Sequence, residues 1–93
     1  MTGHDPQVKR LVLDVLKPHD PPMYELATKL ALCHGVDDVN VTLAEIDQDT
    51  ESVKISIDGT DIDIETVRKC VEDIGASVHS FDEVKVARRP HPK

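Results

Sequence analysis

The order in which two hydrophobic periods follow one another constrains this chain more than any other feature. Apolar residues dominate Val8 to Leu16 (VKRLVLDVL), then recur at helical spacing through Met23, Leu26, Ala27, Leu30 and Ala31. Alternation resumes with Val39, Val41 and Leu43 inside Val36 to Ile46, and again with Val53, Ile55 and Ile57. A second helical stripe follows at Ile64, Val67, Val71 and Ile74, and Val78 to Val86 supplies a last, more polar run. A period of two lines one face of a strand and a period near 3.6 lines one face of a helix, so the chain reads β-α-β-β-α-β.

The punctuation agrees with that reading. Lys17-Pro18-His19-Asp20-Pro21-Pro22 ends the first strand, because proline cannot donate to a ladder. Asp20 is placed to cap the first helix with Pro21 at its first position, and Gly35 stops it. Asp47 to Glu51 forms a polar turn between two alternating runs, which makes a hairpin, and Gly59 to Asp63 turns the chain again. Asp61 or Asp63 caps the second helix, Glu65 favours its positive end, and Gly75 stands just past its end. The order implies an α+β, ferredoxin-like βαββαβ fold: a four-stranded antiparallel sheet, strand order 4-1-3-2, with two helices on one face.

At 93 residues and 10.3 kDa there is room for one core. The reading divides the chain into a disordered lead (1–7), a ferredoxin-like domain (8–86) and a basic tail (87–93). Hydrophobic residues at 39% exclude an intrinsically disordered chain, and with Tyr24 and Phe81 as the two aromatics the core must be Val, Ile and Leu. All 18 acids precede residue 85, against 7 of the 11 bases, a balance that repels a phosphate backbone and argues against nucleic acid as a partner. No apolar stretch approaches the ~20 residues of a membrane span, nor is there a signal core at the start, so no membrane partner and a cytoplasmic location are expected. Cys33 and Cys70 lack metal or redox spacing and read as buried free thiols.

The segments LVLDVLKPH (11–19), EIDQDTE (45–51) and HSFDEV (79–84) resemble the archaeal domain-of-unknown-function family 211. The resemblance spans roughly residues 8–86. It implies a ferredoxin-like domain that assembles into homo-oligomers, and no established activity. Other users of this topology are excluded by their own chemistry. Soft-metal transfer needs a CxxC where this chain has KPHDPP, and base stacking needs aromatics that the first and third strands lack. A phosphate cradle needs backbone N–H donors that Pro21 and Pro22 remove.

Three constellations carry candidate chemistry. The central first strand is apolar on both faces, so the outer face with Val12, Leu16 and Ala44, and Phe81 beside them, is expected to be covered by another copy; the alternative is a monomer with a mildly apolar open face. The start of the last strand lies beside the end of the first, which groups Asp14, Lys17, His19 and His79 in a possible small-ligand cleft. Asp14 with His79 could act as an acid–base pair, although structural pairing is the plainer reading. Finally, Glu45, Asp47, Asp49 and Glu51 bracket the hairpin while Asp82 and Glu83 lie late in the last strand, taken to be at the same end of the sheet. Hard oxygens suit Ca²⁺ or Mg²⁺. Because the two edges are too far apart to share an ion, Glu45, Asp47, Asp82 and Glu83 could become ligands only between subunits, in a head-to-tail ring. Solvated turn and edge charges are the alternative.

The leading expectation is a non-enzymatic homo-oligomeric module, with divalent cations at subunit contacts and no organic cofactor. A regulatory metabolite-binding module and an enzyme working through Asp14 and His79 stand as alternatives.

Overall fold

The computed structural model describes residues 5–88. Six elements follow in order: β1 (Pro6–Pro18), α1 (Met23–Ala31), β2 (Val36–Ile46), β3 (Thr50–Gly59), α2 (Ile64–Asp73) and β4 (Ser77–Arg88). The sheet runs β2-β3-β1-β4 with every neighbouring pair antiparallel, which is the expected ferredoxin-like order.

One face of the sheet builds the core. Leu11, Leu13 and Val15 of β1 stand in register with Ile57, Ile55 and Val53 of β3, and all six are buried. Leu26 and Leu30 of α1, Val67 and Val71 of α2, and Ile62 close over them. Each such aliphatic side chain contributes about 1.5–3 kcal/mol on leaving water, which explains how a core without aromatics suffices.

Several boundaries differ from expectation for local reasons. The cap of α1 is Pro22 rather than Asp20, with no side-chain cap bond, so the Pro22 carbonyl begins the helix alone. The cap of α2 is Asp63, whose carboxylate accepts from the Glu65 and Thr66 amides. β1 already includes Pro6 and Gln7, because β4 continues to Arg88 and pairs with both. Residues 1–4 and 89–93, which hold His4, His91 and most of the expected tail, lie outside the described residues. Gly35 adopts a φ of +87° where β2 begins, and its carbonyl accepts from Thr60, pinning that end of the sheet.

Element lengths leave part of the core-side face bare. Thirteen residues of β1 extend roughly 43 Å at about 3.3 Å per residue, whereas helices of nine and ten residues reach only about 14–15 Å. Leu43 and Ile46 of β2 and Val84 and Val86 of β4 are consequently 40%, 64%, 47% and 53% exposed.

Candidate functional site

The end of β1 carries two separate polar clusters because successive residues of a strand point to opposite faces. The expected cleft residues therefore do not meet as one set. Lys17 lies on the core side, in the same alternation as Leu11, Leu13 and Val15, and opposes Glu51 in the β1–β3 register. Asp14 lies on the outer side, and His79 joins it there as a lining residue of a shared hollow.

On the core side, Lys17 has no exposed side-chain surface. Its ammonium donates to the Pro18 carbonyl at 2.7 Å and to Glu51 Oε1 at 3.1 Å, with the His19 carbonyl at 3.5 Å. Such convergence is what a buried charge requires, since an unpaired one would be strongly unfavourable. The second Glu51 oxygen lies 3.0 Å from His19 Nδ1, and His19 Nε2 lies 3.0 Å from the Gln48 carbonyl in the β2–β3 turn. Hydrogen bonding to His19 and then Lys17 holds the Glu51 carboxyl below its ordinary range, while the bond to Glu51 raises the His19 pKa. Beside this cluster a groove of about 370 Å³ is lined by His19, Pro22, Met23, Tyr24, Leu43 and Glu51.

The outer face is a lattice of alternating charge rather than an apolar surface. Arg10 holds Asp58 at 2.9 Å and Glu83 at 3.3 Å, and Lys54 holds Asp82 at 2.7 Å and Asp14 at 3.1 Å. Ser80 Oγ donates to Asp82 at 2.9 Å. The Lys54 bond is the main reason that the Asp82 carboxyl is held below its ordinary range. Val12 and Leu16 interrupt this lattice, but Phe81 does not belong to it. Phe81 opposes Leu13 on the core side and lies under Arg68, whose guanidinium carbon is 5.2 Å from the ring centre. At the end of the face, Asp14, Val15, Leu16, Ala44, Glu45, Ser52 and His79 surround a hollow of about 350 Å³.

The four acids expected as ligands are dispersed. Glu45 pairs with Ser52 at the sheet end and Asp47 opens the turn by donating its amide to the Thr50 carbonyl. Glu83 opposes Val12, which in turn opposes Ser56, roughly 13 Å along the strand from the Leu16–Ser52 level. Asp82 and Glu83 thus sit mid-sheet, not at the hairpin end, because β4 starts where β1 finishes and runs back. Among the described residues no group of three or more His, Cys, Asp or Glu side chains converges to hold a metal ion.

Asp14 is engaged by Lys54 and Ser80, which makes it a member of the lattice rather than a partner poised for His79. Sequence reasoning missed Lys54 and the pairing of Lys17 with Glu51. The signal for the second was present, since extending the alternation Leu11, Leu13, Val15 by one step puts Lys17 on the core face. No helix is long and apolar enough to cross a membrane among the described residues.

Known proteins match along nearly the whole of this fold. An uncharacterized protein of Methanocaldococcus jannaschii is 40% identical over 82 residues, covering 88% of this chain and 84% of that protein. A family described as uncharacterized ArCR matches residues 9–89, from within β1 to the end of β4. The chain belongs to that archaeal group, domain-of-unknown-function family 211.

Proposed function

We propose that the protein is a non-enzymatic module that assembles with copies of itself through its two edge strands. The observation that carries this reading is exposed apolar surface on both edges, Leu43 with Ile46 on β2 and Val84 with Val86 on β4. The pairs lie toward opposite ends of the sheet, so in a continued sheet Val84 and Val86 meet the level of Val39 and Val36, and Leu43 meets that of Val78. Each edge also offers a long row of backbone groups, and an open edge of that length is a template for another strand.

Charge fits a head-to-tail contact. β4 runs antiparallel to β2 within the sheet, so a sheet continued from one copy to the next sets β4 antiparallel to the neighbour's β2. Lys85 then stands at the end that carries Asp37 and Asp38, and His79 at the end that carries Glu45. Lys85 faces Asp38 in this arrangement, where like charges had been expected. Head-to-tail contacts close into a ring when the rotation permits.

Size-exclusion chromatography with light scattering tests the reading, in chelator and again with millimolar Ca²⁺ or Mg²⁺. A single oligomer that Val84→Asp or Ile46→Asp reduces to folded monomer is the expected result, and a wild-type monomer in both buffers overturns it. An oligomer that loosens in chelator would return cations to the contact. The groove beside His19 favours a second reading, a small-metabolite site that Leu43 places next to the assembling edge. Thermal stabilisation by members of a metabolite panel in chelator is its test.

A further inference from the structure

We propose that His19 is a proton-operated latch, bound as the doubly protonated imidazolium, that ties the β2–β3 turn to the connection between β1 and α1. Both ring nitrogens face acceptors that cannot donate in return: Nδ1 the Glu51 carboxylate and Nε2 the Gln48 carbonyl, each at 3.0 Å. Only a ring with two N–H groups satisfies both, because a neutral imidazole turns a lone pair toward one of them. The Lys17 ammonium fixes the other side of Glu51, so the carboxylate is held in place to receive the ring.

The elements that meet at the latch carry further charged and titratable groups. β1 contributes Lys17, β3 contributes Glu51, the turn carries Asp47 and Asp49, the connection carries Asp20, and the first turn of α1 presents Tyr24 and Glu25. Of these side chains, Glu51 bonds the imidazole directly, while Lys17 reaches the His19 backbone carbonyl.

Loss of the proton releases one of the two bonds. The Glu51 carboxylate is the stronger acceptor and keeps the Nδ1 proton, so the bond to the Gln48 carbonyl is the one lost, and the turn is freed where Asp47 and Thr50 close the hairpin. That turn joins β2, whose Leu43 lines the groove, to β3, whose Glu51 lines it too, and ends the β2 edge, so the proton would set the order of both. The inference does not depend on self-assembly or on a bound metabolite.

Nuclear magnetic resonance on the intact protein tests it. The His19 ring should show protons on both nitrogens at pH 6.5 and titrate above the ordinary histidine value of 6.5. Protection of the Asp47 amide from hydrogen exchange, corrected for intrinsic rates, should fall several-fold as pH rises through that midpoint. Glu51→Gln should move the midpoint down, and His19→Gln, which keeps a neutral donor, should leave turn protection independent of pH. A His19 midpoint at or below the ordinary value overturns the latch. Turn protection that ignores the His19 titration in a folded protein overturns it equally.

Discussion

Lys17 and Glu51 oppose each other in register across β1 and β3, with their charged atoms 3.1 Å apart and the lysine wholly removed from water. The two halves of this pair should respond unequally to mutation. Glu51→Ala strands a buried ammonium with only backbone carbonyls, and losing one partner of a buried pair costs roughly 3–5 kcal/mol. Lys17→Met leaves Glu51 bonded to His19 and fills similar volume with apolar atoms, so it should cost markedly less. Denaturant unfolding of the two variants checks the ranking.

Gly35 and Gly59 form a close backbone crossing. A Cβ on Gly59 would collide with the Gly35 carbonyl, and one on Gly35 would come within 2.8 Å of the Thr60 carbonyl oxygen at a φ of +87°. Either alanine substitution should destabilise by more than about 1 kcal/mol, since neither backbone can adapt cheaply. Gly75→Ala meets nothing within 4 Å, and its positive φ of +84° is the one strain imposed. Thermal melts should therefore place Gly75→Ala closest to wild type.

Asp63 supplies the side-chain cap of α2, while α1 starts at Pro22 without one. Asp63→Ala should cost about 1 kcal/mol. Pro22→Ser should stabilise α1 if the new hydroxyl reaches the open amides, and circular-dichroism melts report both changes.

Acid should weaken the outer lattice in a defined window. The Asp82 carboxyl is held down chiefly by its bond to Lys54, so its stabilising contribution is complete above its ordinary value of 3.8 and is lost as pH falls through the lowered folded value. Lys54→Met should return the Asp82 titration toward 3.8 and flatten that part of the stability curve. Because both side chains are partly exposed, added salt should shrink the difference. Carbon-detected titration of the Asp82 carboxyl measures the shift.

The elements and their order were legible because this core is built from strict alternation: Leu11, Leu13 and Val15 on one strand, Val53, Ile55 and Ile57 on another. The side of Phe81 was not, because β4 carries register shifts against β1 on either side of it, between Val12 and Leu13 and between Asp14 and Val15. Each irregularity resets the alternation, so counting by twos fails there. The level of Asp82 and Glu83 was misassigned for a different reason: β4 starts beside the end of β1 and runs back, so residues late in it lie away from the hairpin end. Lys54 was passed over because a lone lysine between apolar neighbours looks like ordinary solvent-facing alternation. Its role depends on Asp14 and Asp82 arriving from a different strand, which no local pattern reveals.

The placement of β1 also affects how the chain is made. Residues 6–16 pair on one side with residues 77–88, so the first strand of this fold is completed only by its last. At ordinary synthesis rates the interval is roughly 3–12 s, during which β1, β3 and β2 can pair while one side of β1 stays vacant. That vacancy has the shape of a β4 strand, and on a polysome the nearest finished β4 can belong to a neighbouring chain. Exchange of β4 between nascent copies is thus the misfolding route that this strand order leaves open.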